Sequence, residues 1–139
     1  MCDGHRKDLF LEFQKYSSSE QQSISRDEII NQLMLSGVWA NIIQRPYAIV
    51  ANPKDEPKAI FVSGFDSSPL APEYGYTLKG EENNFQAGLN ILKKLTKGVV
   101  HLNINADAEV SNIFAKAQGV QINKFSGPHP SGNVGVQIH

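Results

Sequence analysis

Val99-Val100-His101-Leu102-Asn103-Ile104, then Asp107 with Val110, Ile113, Phe114, Ala117 and Gly119, then Val120-Gln121-Ile122-Asn123-Lys124-Phe125, is the stretch that decides the fold. Val100, Leu102 and Ile104 recur every second residue, which puts them on one face of a strand. Asp107 can cap a helix that carries Val110, Ile113, Phe114 and Ala117 on its apolar side, and Gly119 supplies its stop. Val120 to Phe125 then reads as a further strand. Toward the N-terminus the same alternation recurs. Ala59-Ile60-Phe61-Val62-Ser63 is a short apolar run of the kind buried in a parallel sheet. A long loop from Gly64 to about Glu82 follows, and Phe85, Leu89, Leu92 and Leu95 mark a helix that Gly98 ends. Strand, helix, strand, helix, strand predicts an α/β fold, a Rossmann-like parallel sheet with flanking helices, whose crossovers cover both faces.

Further out, Ser25 opens the first helix. Its hydroxyl can cap free N–H groups while Glu28 reaches back, a capping box, and Ile29, Ile30, Leu33 and Met34 form one face before Gly37 stops it. Leu9, Leu11 and Phe13 alternate as a short strand does, and the polar run from Ser17 to Ser23 reads as a linker. At the other end Val134-x-Val136-x-Ile138 alternates like a strand and stops without a turn, which reads as the cut end of a longer chain. The expected divisions are an N-terminal strand and linker (1–24), a Rossmann-like domain (25–126), and a loop with the start of a following segment (127–139).

The 139 residues suffice for a single core, and 40% apolar with 19% charged residues is ordinary globular composition. A net charge of −1 gives no electrostatic footprint for nucleic acid or anionic lipid. No apolar run approaches the ~20 residues that cross a bilayer, and no hydrophobic segment follows Arg6-Lys7 as in a signal peptide, so a cytoplasmic setting is expected. The lone Cys2 excludes an internal disulfide. With His5 it makes half a zinc-site spacing without a second half.

Chemistry concentrates near the end, in Gly127-Pro128-His129-Pro130-Ser131-Gly132. The stretch is glycine-rich, yet Pro128 and Pro130 delete two N–H donors that a phosphate nest would need, and no lysine follows. Two readings stand. One is a rigid connection. The other is that a stiff loop presents His129 to a quinone carbonyl or a partner subunit, histidine being suited to proton delivery. Trp39 with Tyr47, Ile42 and Ile43 forms either core or a slot for a flat quinone ring. Arg45-Pro46 reads as a chain turn with an outward cation, and His101 as a sheet-face histidine. His139 carries no inference. No Ser/His/Asp set, paired acids or nucleophilic cysteine stands at a usable spacing, which sets hydrolase chemistry aside.

The same six residues resemble the GPHPAG signature of the NqrA family, one of the subunits of the bacterial Na⁺-translocating NADH:quinone reductase, with Ser131 where alanine is usual. Three more segments in the same order resemble that family: Gln32-Leu33-Met34-Leu35-Ser36-Gly37-Val38-Trp39, Arg45-Pro46-Tyr47, and Lys58-Ala59-Ile60-Phe61-Val62 with Phe65-Asp66-Ser67-Ser68-Pro69-Leu70-Ala71. The resemblance runs from about Ser25 to the end and implies a middle domain of that subunit. The implied complex oxidises NADH, reduces ubiquinone and exports Na⁺. This subunit would sit on the cytoplasmic side of the inner membrane, linked to quinone binding. Its partners would be the other subunits, and the isolated domain would be catalytically silent.

The implied fold is related to the flavin-binding subunit of respiratory complex I, where a glycine-rich loop holds flavin phosphate and an acidic segment holds the ribose and ring. At those places this chain has Ser36-Gly37-Val38-Trp39-Ala40-Asn41, with one glycine, and Gly64-Phe65-Asp66-Ser67-Ser68-Pro69, with one acid. Backbone cannot approach a phosphate through Val38 and Trp39. No cofactor is therefore expected in this domain, the flavins, Fe–S centre and NADH site belonging to other subunits. The rival readings are a free-standing flavin- or NAD(P)-dependent oxidoreductase of the same fold and a purely structural assembly module.

Overall fold

The structure, a computed structural model, describes residues 12–17, 20–107 and 112–138. In chain order these form α1 (Glu20–Ser23), α2 (Arg26–Leu35), a 3-10 turn (Val38–Asn41), β1 (Ile43–Gln44), β2 (Ile49–Val50), β3 (Ala59–Ser63), α3 (Tyr74–Thr77), α4 (Glu82–Leu95), β4 (Val99–Asn105), α5 (Asn112–Ala115), β5 (Gln121–Phe125) and α6 (Val134–Gln137). Among these residues no helix is long and apolar enough to cross a membrane.

The predicted parallel sheet is present, in the order β3-β4-β5. Ile60 pairs with Val100 and Val62 with Leu102, so one pleat face collects Ile60, Val62, Val100, Leu102 and Ile104. On that face Leu102 and Ile104 pack with Ile113, Phe114 and Phe85, while Ile60 joins Leu95, Leu92, Ile29 and Ile30. The crossover helices α4 and α5, with α2, thus lie on the same side, which corrects the expectation that the crossovers cover both faces. The reason is the strand order: two right-handed crossovers stepping in one direction return their helices to one side. The opposite face carries Phe61, Ser63, His101, Asn103, Gln121 and Asn123, and α6 reaches it at its carboxyl end through Gln137.

Helix α4 ends at Leu95, not at Gly98 as predicted, with Thr96 already extended. Thr96 Oγ1 donates to the Pro57 carbonyl at 2.6 Å and accepts the Gly98 N–H at 2.9 Å. Gly98 serves instead to let β4 start against the Lys58 carbonyl, where a Cβ would lie 1.7 Å from the oxygen.

Ser25 caps α2 as expected, its hydroxyl accepting the Glu28 N–H at 3.3 Å. The reciprocal half of the box is replaced: Glu28 takes the Tyr16 hydroxyl at 2.6 Å. That acceptor carboxylate raises the Tyr16 phenol above its ordinary value. Ile29 and Ile30 are buried, but Met34 is exposed, because the chain turns away at Gly37, which has φ 75°. The turn swings Trp39 into the core beside Ile29, Ile30 and Leu95. Its indole N–H donates to the Ala51 carbonyl at 2.8 Å. Trp39→Phe keeps most of the ring burial and loses that bond, so a loss of about 1 kcal/mol is expected in urea denaturation.

Several short elements escaped the sequence reading. The 17–23 linker contains α1, whose Glu20 carboxylate accepts the Ser17 hydroxyl and N–H. The hydroxyl first and then the N–H hold Glu20 below the usual carboxylate range. Within the 64–82 loop, Glu73 caps α3 through bonds from Gly75 and Tyr76 N–H. Val134 to Ile138 is helical, not a strand. Asn133 caps it by accepting the Gly135 N–H, and the Gln137 and Ile138 N–H groups bond back four residues. Leu9, Leu11, Val110, Cys2, His5 and His139 lie outside the described residues.

Candidate surface at the carboxyl ends of the strands

In a parallel sheet the loops after the strands gather at one end, where ligands and partners are ordinarily met. Here the turn after β3 and the loop after β5 lock together. Gly132 N–H donates to Ser67 Oγ at 2.8 Å, and Ser67 Oγ lies 3.1 Å from His129 Nδ1. A Cβ on Gly132 would stand 2.4 Å from Ser67 N, so the two backbones are in direct contact. The 127–133 loop is also tied to itself. Ser131 N–H donates to the Pro128 carbonyl, Asn133 N–H to the Pro130 carbonyl, and Ser131 Oγ to the Gly127 carbonyl. The predicted stiffness therefore comes from two interlocked turns around the prolines. Gly127 has φ 138°, a region L side chains avoid.

His129 is exposed, and among the described residues its Nε2 has no partner. Asp66 beside it accepts the Ser68 hydroxyl at 2.7 Å and the Ser68 N–H at 2.8 Å. The Ser68 hydroxyl, then its N–H, then the charge of His129 hold the Asp66 carboxyl below its ordinary range. A depressed folded value means this turn's contribution is complete above the unfolded carboxylate's pKa of ~3.9 and is lost as pH falls through the lower folded value.

A serine beside a histidine invites comparison with a hydrolase. The acid that such a set needs on the second imidazole nitrogen is absent from the contacts of Asp66, which bind Ser68, and Ser67 Oγ is occupied by Gly132 N–H. The geometry serves to hold the loop.

Beneath it runs a line of amides. Ser131 carbonyl accepts Gln137 Nε2 at 2.8 Å, Gln137 Oε1 accepts Asn103 Nδ2 at 2.8 Å, and Asn103 Oδ1 accepts Asn123 Nδ2 at 2.9 Å. The line ends at His101 Nδ1, 3.2 Å from Asn123 Nδ2. His101 is the sheet-face residue expected, its ring stacked on Phe61 at 4.6 Å and 9°.

The other candidates sit apart from this arrangement. Trp39 is core and its one polar atom is used. Tyr47 is 75% exposed in the turn 45–48 between β1 and β2. Arg45 is in that turn as read, but its guanidinium lies over Gly135, 3.1 Å from where a Cβ would be. A groove of about 440 Å³ beside α2, lined by Arg26, Ile30, Met34 and Pro53, shares no residue with the His129 surface. Sequence reasoning missed Ser67, Asn103, Asn123 and Gln137. The Asp66-Ser67-Ser68-Pro69 run did carry a turn signal, aspartate bonding two residues on. Asn103 between Leu102 and Ile104 in a predicted parallel strand was the second signal, since an amide placed in such a strand needs partners.

A family model described as the NqrA second alpha/beta domain matches residues 24–139. The chain is 37% identical over 129 residues to the NqrA subunit of the Na(+)-translocating NADH-quinone reductase of Photorhabdus laumondii, covering 93% of this chain and 28% of that protein. The same subunit of Yersinia pestis is 35% identical over 129 residues, again 93% of this chain and 28% of the relative. That of Alcanivorax borkumensis is 38% identical over 127 residues, 91% of this chain and 28% of the relative. The chain spans about 28% of the length of these relatives.

Proposed function

This chain belongs to the NqrA second alpha/beta domain family, and from that premise we propose that it is a non-catalytic assembly domain of a Na⁺-translocating NADH-quinone reductase, docking a neighbouring subunit through the 127–133 loop. The observation that carries this reading is the double lock of Gly132 and His129 on Ser67. A surface already ordered before contact loses little entropy on docking. Its preorganisation suits a partner read by shape and a few polar atoms, with His129 Nε2 as the ring nitrogen facing that partner. In this reading the whole complex couples NADH oxidation and quinone reduction to Na⁺ export, and this subunit lies peripherally on the cytoplasmic side. Flavins, the Fe–S centre and the NADH site belong to other subunits. Kinship with the flavin-binding subunit of complex I is part of the proposal: at the place of the phosphate loop, the Gly37 turn directs Trp39 inward and leaves the exposed Val38 side chain where a phosphate would need bare backbone.

The free His129 Nε2 also favours a second reading, in which it donates to a quinone carbonyl. Titrating the ¹⁵N-labelled chain with a short-chain soluble quinone separates the two. Assembly predicts unmoved His129 and Gly132 signals and no NADH turnover above a protein-free blank. Saturable shifts at His129 support quinone binding, and turnover supports the free-standing oxidoreductase.

A further inference from the structure

We propose that His101 positions the 127–133 loop through the amide line, and that the line is a proton-sensitive latch. Its polarity follows from its far end. A backbone carbonyl only accepts, so Ser131 O receives a hydrogen from Gln137 Nε2. Gln137 then offers Oε1 to Asn103 Nδ2, which leaves Asn103 Oδ1 to receive a hydrogen from Asn123 Nδ2. Asn123 is pinned a second time, because its Oδ1 accepts Gln121 Nε2 at 3.1 Å. The remaining Asn123 Nδ2 hydrogen points at His101 Nδ1. That nitrogen is an acceptor, and the ring is the neutral tautomer with its hydrogen on Nε2.

A second proton on the ring lands on Nδ1, where donor then faces donor. Turning over the Asn123 amide cures this contact but sets its oxygen against Asn103 Oδ1. Turning Asn103 passes the mismatch to Gln137, and turning Gln137 sets its oxygen against the Ser131 carbonyl, which cannot turn. The conflict is relieved where the line is freest to move. Asn103 is wholly buried, and the His101 ring is held in its stack on Phe61. Gln137 sits on the one-turn α6, so its contact with Ser131 opens and the loop loosens. The residues sharing the sheet face with His101 are Ala59, Phe61 and Ser63 on β3, Val99, Asn103 and Asn105 on β4, and Gln121, Asn123 and Phe125 on β5, none of them charged. Among the described residues, the charged or titratable groups at the loop end are Asp66, His129 and Arg45.

The latch does not depend on what the loop binds, so its failure leaves the assembly reading standing. The test follows the side-chain amides of Asn103, Asn123 and Gln137 and the exchange protection of Gly132 N–H from about pH 8 to about pH 5. The amide signals should move together with the His101 ring signals. Gly132 protection, corrected for the intrinsic pH dependence of exchange, should fall about tenfold, as loss of one hydrogen bond implies. His101→Asn keeps an acceptor oxygen at the δ position without a titrating proton, and should hold the loop throughout. Protection unchanged in the unsubstituted chain, or a response that survives His101→Asn, overturns the proposal. Ring ¹⁵N shifts showing a proton on His101 Nδ1 near pH 8 overturn it without any variant.

Discussion

Gly132→Ala detaches the 127–133 loop from the turn after β3 while the sheet stays folded. The new methyl would stand 2.4 Å from Ser67 N and 3.0 Å from both the Asp66 carbonyl carbon and Ser67 Oγ. Backbone on one side and the interlocked proline turns on the other leave nothing soft to yield, so the loop must move out. With it go the Gly132–Ser67 bond and the contact that fixes His129. The expected loss is about 2–3 kcal/mol, read as a lower urea midpoint at unchanged slope. Amide signals of Gly132, Ser67 and His129 should shift while those of Leu102 and Val100 stay. A midpoint equal to that of the unsubstituted chain would mean that the loops do not bear on each other.

Gly98→Ala acts on the sheet itself. A Cβ there meets the Lys58 carbonyl oxygen at 1.7 Å and its carbon at 2.8 Å, immediately before Ala59 pairs with Val99. Neither atom belongs to a side chain that can swing away, so β3 and β4 must part at their starts or Thr96 must leave the Pro57 carbonyl. A loss above about 3 kcal/mol is expected, a fall of roughly 10 °C in melting temperature for a chain of this size. Gly88 is the control. It lies in α4 with open space around it, so alanine there should be neutral or stabilise by up to about 1 kcal/mol.

Strand β4 was legible because Val100, Leu102 and Ile104 recur every second residue, β3 because it is a short apolar run, and Gly37 marked a real left-handed stop. The side on which the helices lie was not legible, since it depends on strand order, which no local period encodes. The β1–β2 hairpin was hidden because its strands are two residues each, and its positive φ falls on Ala48 instead of glycine. Val134 to Ile138 fits either period over so short a span. The Asn133 cap and the bonds of Gln137 to Asn103 and Ser131 accompany the helix.

The candidate surface was half legible. His129 stood out between prolines, but Ser67 is 62 positions away in the chain, and only the fold brings it within 3.1 Å. The same holds for Asn103 and Gln137, 34 apart. Tyr47 and Trp39 illustrate the converse: eight positions apart in sequence, one is in the core and the other projects from a turn.

The most direct test of the docking reading is His129→Ala in the full-length protein, assembled into the complete reductase, with subunit retention and NADH-dependent quinone reduction measured separately. Docking through the loop predicts that the altered subunit is lost on purification, and that activity falls only in proportion to that loss. Full retention with reduced quinone turnover would contradict it and assign His129 to the quinone, and a complex unchanged in both respects would contradict any role for the loop beyond connecting the chain.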